Sequence, residues 1–144
     1  MDYKFDTKEK YIGFFEKLAE YCDVVALLSE DDLSPEAIDN MMQHKSEVKW
    51  IREFPGYKFR GKVKVQVPFY PLTRKVISVF KEYDSFLKVG YNSETKLGFD
   101  MAFYKGDDLV FLVLRHESMS FLRPEHEQYF AETIREYKIE PMYP

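Results

Sequence analysis

The apolar residues in the first thirty positions recur at the spacing of an amphipathic helix. Asp6 and Glu9 stand three residues apart, as in a capping box that begins a helix. The apolar positions that follow come at steps of three and four, namely Tyr11, Phe14, Phe15, Leu18, Cys22, Val25 and Leu28. This spacing predicts one long helix that ends near Leu28, although the β-branched run beginning at Val24 also suits a short buried strand.

A second helix is predicted after the polar residues 29–33. Ser34 is a favourable N-cap, and Pro35 stands at the first helical position, where a missing N–H costs no hydrogen bond. Apolar residues continue near helical spacing through Phe54, with a break at residues 45–46. Pro55 and Gly56 end that run.

From residue 57 the period of the apolar residues changes from about 3.6 to 2. Aromatic and β-branched residues alternate with basic ones up to Val67, so the pattern predicts a strand with one apolar and one basic face. Pro68 and Pro71 are expected to end it. The basic face would carry Lys58, Arg60, Lys62 and Lys64.

The remaining residues predict a meander followed by a helix. Residues 73–83 suit either a helix or a strand, and their spacing favours the helix. Residues 86–91 and 97–104 flank a turn and predict a hairpin, and a second turn leads to the wholly apolar segment 109–114. That segment predicts a central strand covered by helices on one side. Pro124 begins a final amphipathic helix, which Pro141 ends.

This order of elements predicts an α+β fold with N-terminal helices, then a mostly antiparallel sheet, a meander, with helices packed on one face, and a C-terminal helix. A chain of 144 residues without repeats or linker composition is expected to form a single domain, residues 1–144. The first residues lack the basic start and apolar run of a signal peptide, and no stretch is apolar enough to span a membrane. We therefore expect a cytoplasmic protein without membrane contact.

Residues capable of catalysis are few. His116 and Glu117 directly follow the apolar segment 109–114, and His126 stands at the start of the last predicted helix. An imidazole beside a carboxylate is a common general base, and these side chains also offer metal-ligating atoms. Their spacing matches no established motif, and a polar turn explains the same residues. The sequence therefore assigns no catalytic residue, metal or cofactor, and leaves these three as candidates.

The one cysteine, Cys22, excludes an internal disulfide and a thiolate zinc cage. Its place on the apolar stripe of the first predicted helix indicates a small buried thiol, which is chemically inert.

The distribution of charge gives the better indication of function. Residues 45–75 contain nine basic and two acidic residues, a net charge of +7 in a chain of net charge −4, so the remainder carries −11. Basic residues interleaved with aromatic ones suit an anionic partner. Lysines on the exposed face of an edge strand also prevent edge-to-edge pairing, which is the competing explanation.

These observations favour a non-enzymatic binding protein that docks a macromolecule, an acidic protein in preference to a nucleic acid. The expected steering residues are Lys58, Arg60, Lys62 and Lys64, and the expected aromatic anchors are Tyr57, Trp50 and Tyr70. The alternative is a small enzyme or ligand-binding domain with a pocket near His116, Glu117 and His126. The sequence leaves a homo-oligomer open.

Overall fold

The computed structural model describes residues 1–59 and 63–142, apart from the side chains of residues 57 and 58. Its helices are α1 (Lys8–Tyr21), α2 (Pro35–Met42), α3 (Arg74–Lys81) and α4 (Glu127–Glu136). Its strands are β1 (Tyr3–Lys4), β2 (Val24–Ser29), β3 (Glu47–Ile51), β4 (Glu53–Phe54), β5 (Tyr57–Lys58), β6 (Val65–Pro71), β7 (Phe99–Lys105), β8 (Asp108–Leu114), β9 (Met119–Leu122) and β10 (Glu140–Pro141). Single turns of 3₁₀ helix occur at Phe86–Lys88, Arg115–Glu117 and Pro124–His126.

The main sheet has six strands in the order β3-β6-β2-β7-β8-β9, and every neighbouring pair is antiparallel. Two small ribbons, β1-β10 and β4-β5, lie outside it. The α+β class predicted from the sequence is confirmed. Among the described residues, no helix combines the length and apolar character needed to cross a membrane.

The four helices cover one face of the sheet. Their buried side chains meet those of β2, β7 and β8 in the larger core, where aromatic rings are frequent. Phe86 packs edge-on against Tyr11, with ring centroids 4.8 Å apart, and Phe15 stacks on Phe80 at 4.9 Å. Offset and edge-to-face rings of this kind add to the hydrophobic stabilisation of the core.

The opposite face is covered by the ribbon that β4 and β5 form. Phe54 is buried there against a second apolar cluster that includes Ala102, Leu112 and Leu114. Gly56 has φ +96°, and a Cβ at that position would lie 2.8 Å from the Leu114 side chain. The turn therefore needs glycine both for its backbone conformation and for its close approach to β8.

The predicted first helix ends earlier than expected. Residues 24–29 form β2, an inner strand of the sheet, so the prediction of a helix to Leu28 is wrong and the strand alternative is correct. Val25, Ala26 and Leu27 are fully buried because β2 has one sheet face under the helices and the other under the β4-β5 ribbon.

The middle of the chain also differs from its prediction. Residues 47–51 form β3 and do not continue a helix, and residues 57–67 do not form one strand, because β5 ends at Lys58 and β6 begins at Val65. Strand β6 runs through Pro68 and Pro71. Both prolines fit, because neither missing N–H would have a strand partner. The nitrogen of Pro68 faces β2, but the β2-β6 ladder ends at Phe69. The nitrogen of Pro71 faces β3, but β3 begins only after the residue that would lie opposite Pro71.

The later elements agree more closely. α3 lies within residues 73–83, the turn at 105–108 joins β7 to β8, and α4 follows a 3₁₀ turn at Pro124. The predicted strand at 86–91 is instead a 3₁₀ turn and loop, and Phe86 points into the larger core beneath the helices. β8 is an inner strand, second from the edge, and β9 arises from residues that the sequence indicated as part of a turn.

Candidate functional site

The two outer strands of the main sheet differ in what covers them. β9 is joined on its outer side by N-terminal residues: its Leu122 amide donates to the Met1 carbonyl at 2.9 Å, and its Ser120 amide donates to the Asp2 carboxylate at 2.7 Å. β3 has only β6 as a neighbour within the described chain. We call the outer side of β3, with Val48 and Trp50, the open edge.

The alternation of hydrogen bonds across the sheet fixes which backbone groups lie along the open edge. The Glu30 amide donates to the Gly98 carbonyl at 3.0 Å, so the even-numbered residues of β2 face β7. The pairings of β2 with β6 and of β6 with β3 then determine which residues of β3 bond to β6 and which do not. Lys49 therefore bonds to β6, whereas Val48 and Trp50 direct their N–H and C=O groups outward. Pro68 lies opposite Val48 in a pair that exchanges no backbone hydrogen bonds, so the N–H that proline lacks is not required there.

The side chains at the open edge combine apolar surface with positive charge. Trp50 is 63% exposed and Val48 is 39% exposed, both on the sheet face that carries the helices. On the other face, the Lys49 ammonium lies 4.5 Å from the centroid of the Phe69 ring. Among the side chains that the structure describes, the exposed basic ones around the strand are Lys45, Lys49, Arg52 and Lys64.

The residues predicted to bind a partner are only partly placed together. Trp50 and Lys64 are exposed near the open edge, as a docking surface requires. Lys58 and Tyr57 lie in β5, without described side chains, and Arg60 and Lys62 lie outside the described residues. Of these four cations the structure places two: Lys58 lies in β5 and Lys64 directly precedes β6, so these two do not share one strand.

Tyr70 is a correction to the predicted anchors. Its ring is fully buried, and its hydroxyl donates to the Asp39 carboxylate at 2.5 Å. Burial, reinforced by that carboxylate, raises the pKa of Tyr70 far above its ordinary value. Asp39 also accepts the Ser46 amide at 3.2 Å, just before β3. Tyr70 is therefore a structural residue that ties α2 and β6 to the start of β3.

A second group of polar residues lies at one end of the sheet. Glu30 follows β2, Asp100 is near the start of β7, and Arg115 and His116 follow β8. Because these strands are antiparallel neighbours, the end of β2, the start of β7 and the end of β8 share one end of the sheet. We call these four residues the sheet-end cluster.

Hydrogen bonds hold the carboxylates of the sheet-end cluster. Asp100 is 1% exposed and accepts the Arg115 amide at 2.7 Å. Glu30 accepts the Gly98 amide at 2.9 Å and the Arg115 guanidinium at 3.1 Å through the same oxygen. The guanidinium also lies 4.6 Å from the centroid of the Tyr91 ring.

His116 faces two carboxylates with its two ring nitrogens. Its Nδ1 lies 3.5 Å from an oxygen of Asp100, and its Nε2 lies 3.7 Å from an oxygen of Glu117. His116 is half-exposed, so this side of the sheet-end cluster is open to solvent. The predicted proximity of His116 and Glu117 is thus present, together with Asp100, which the sequence reasoning did not single out.

His126 is not part of this group. It lies near the other end of β8, beside Asp107, Asp108 and Leu109 in a shallow groove. Seven residues of β8, roughly 20 Å of strand, separate that end from His116. The His126 Nδ1 lies 2.8 Å from the Tyr21 hydroxyl. A pocket shared by His116, Glu117 and His126 is therefore not formed.

Glu30, Asp100 and Arg115 were missed for different reasons. Glu30 lies among the polar residues 29–33 between the first two predicted helices, and Arg115 directly follows the apolar segment 109–114, so neither stands out by its position. Asp100 carries the one available signal, a charged residue inside the otherwise apolar run from Phe99 to Phe103. Buried carboxylates are kept only where partners compensate them, so such a residue points to a polar site.

Comparisons of the chain with protein-family models, with curated proteins and with solved structures gave no match.

Proposed function

We propose that this protein is a non-enzymatic binding protein that docks an acidic protein partner by strand addition to the open edge. The observation that carries the proposal is the outward direction of the Val48 and Trp50 backbone groups beside an indole that is 63% exposed. An extended segment that pairs with β3 would satisfy those donors and acceptors, as in other cases of β-strand addition.

The side chains supply the rest of such an interface. An exposed tryptophan is the most frequent kind of residue to dominate binding energy, because its large ring is desolvated as a unit. The basic residues around β3 favour a partner of negative charge and increase its rate of association. The acidic remainder of the chain repels nucleic acid phosphates, which is why a protein partner is preferred.

An uncovered outer strand with exposed apolar side chains is unusual in a protein that has no partner there. Natural sheets normally cover or shorten their outer strands, as the N-terminal residues cover β9 in this chain. β3 is five residues long and carries two exposed apolar side chains. Lys49 is the protective residue expected on such an edge, but its chain lies over Phe69.

The test is capture of a partner by the purified wild-type protein and by three variants, followed by hydrogen exchange on the isolated complex. Trp50→Ala should weaken binding at least about tenfold, the loss typical of a dominant interface residue. Val48→Pro should also weaken binding, because it removes an N–H that would bond to the added strand. That N–H points outward, so the change breaks no hydrogen bond to β6. Leu33→Ala, at a residue 43% exposed in the loop before α2, is the control and should bind normally.

Two results separate this proposal from others. Protection of the Val48 and Trp50 amides in the complex would support strand addition, whereas capture that survives both Trp50→Ala and Val48→Pro would refute it. If the captured chain is a second copy of this protein, light scattering will show a dimer, and the open edge is then a self-association surface.

A further inference from the structure

We infer that the sheet-end cluster is a binding site for a divalent transition-metal ion, with Glu30, Asp100 and His116 as ligands. One oxygen from each carboxylate and one imidazole nitrogen lie within 4.8 Å of one another. Carboxylate oxygen and imidazole nitrogen are ligands that Zn²⁺ and its first-row neighbours share, whereas Mg²⁺ and Ca²⁺ prefer oxygen alone. The site is independent of the open edge, and the inference goes beyond the proposed function.

The second observation is the set of contacts behind the ligands. Metal-binding carboxylates are usually oriented by hydrogen bonds, and a metal-binding imidazole usually gives its other nitrogen to a carboxylate. Both features are present. Asp100 and Glu30 are held by the Arg115 and Gly98 amides, and the Nε2 of His116 faces Glu117 while its Nδ1 faces Asp100.

The fold places these three ligands on separate elements without a strained backbone. β2, β7 and β8 deliver them to the same end of the sheet, and Gly98 leaves room for the supporting arginine. A Cβ at Gly98 would lie 2.8 Å from the Arg115 side chain. Arg115 bonds only one oxygen of Glu30, so the other oxygen is available to a cation.

Charge favours a dication at this position. The group contains three carboxylates, Glu30, Asp100 and Glu117, and one guanidinium, which pairs with Glu30. Counting His116 as neutral, its formal charge is −2. A bound divalent ion would bring the sum to zero. Tetrahedral ligands around Zn²⁺ stand roughly 3.3 Å apart. The ligand atoms, which lie within 4.8 Å of one another, must therefore close by up to about 1.5 Å, which the half-exposed His116 can do. Three protein ligands leave a position for water.

The experiment is titration of the metal-stripped full chain with Zn²⁺ by calorimetry, and with Co²⁺ by absorption spectroscopy. One ion should bind per chain, and Mg²⁺ should not compete. His116→Ala should lower Zn²⁺ affinity by at least a hundredfold, and Glu117→Gln by about ten- to a hundredfold. His126→Ala is the matched control and should leave affinity unchanged.

Asp100→Asn tests the buried ligand and keeps an acceptor for the Arg115 amide. If this variant fails to fold, His116→Ala still decides the matter, because its half-exposed side chain contributes little to the core. Absence of Zn²⁺ and Co²⁺ binding by the wild-type chain would overturn the inference. So would binding that His116→Ala leaves intact or that His126→Ala abolishes.

Discussion

Cys22 follows α1 and packs into the larger core beneath the helices, with 5% of its surface exposed. Burial raises the pKa of its thiol to about 12, and the neighbouring Asp23 carboxylate adds to the rise. The thiolate is the reactive form of cysteine, so the thiol is inert at neutral pH. The sequence predicted this state because Cys22 fell on an apolar stripe.

We predict that Cys22 in the native protein reacts with Ellman's reagent at pH 8 only at the rate of unfolding, and reacts fully in denaturant. Because the folded pKa lies above the unfolded one, the thiol costs no stability below about pH 8.5. Stability should then fall as the pH rises toward 12. Rapid labelling of one thiol per native chain at pH 8 would show that the side chain is accessible.

Trp50 and Tyr70 show where single-residue inference from the sequence stops. Both are aromatic residues close to basic ones, yet Trp50 is exposed and Tyr70 is fully buried. The difference depends on which strand each occupies and on whether helices lie over that part of the sheet. Neither fact is local, so aromatic content alone cannot separate an interface residue from a core residue.

The wrong prediction of a helix over the residues of β2 has a physical cause. Val25 and Leu28 stand three residues apart, a spacing that fits a helix, and the four residues from Val25 to Leu28 are all buried. An element with both faces covered has no polar face to reveal its period, so periodicity cannot distinguish a buried strand from a buried helix. The partners of β2 lie more than forty residues later in the chain.

The β4-β5 ribbon is one of the elements that the sequence did not predict. Its Phe54 is 3% exposed and helps cover the sheet face that has no helix. We predict that Phe54→Ala lowers the free energy of unfolding by about 3–5 kcal/mol, as for other buried phenylalanines. Urea denaturation measures this, with the partly buried Phe59→Ala as a control that should cost less. A loss below about 0.5 kcal/mol for Phe54→Ala would show that the ribbon is not packed on the sheet.

At the scale of the whole molecule, the class of fold followed from the sequence but the strand order did not. Helical and alternating segments in that succession indicate an α+β protein. The insertion of β2 between β6 and β7 depends on non-local pairing, which no short segment encodes. The same pairing sets the two candidate sites: it brings Glu30, Asp100 and His116 to one end of the sheet and leaves β3 at its border.

That strand order makes a prediction for hydrogen exchange across the molecule. The amides of Val25 and Ala26 in β2 and of residues 101–103 in β7 should exchange only through global unfolding, because these residues are buried and have a strand partner on each side. Along β3 the protection should alternate: the Lys49 amide, bonded to β6, should be slow, and the Val48 and Trp50 amides should be fast. Residue-resolved exchange by NMR on the dilute protein measures this pattern. Equal protection at all three would mean that the open edge is already occupied, and protection that grows with concentration would identify the occupant as a second copy of the chain.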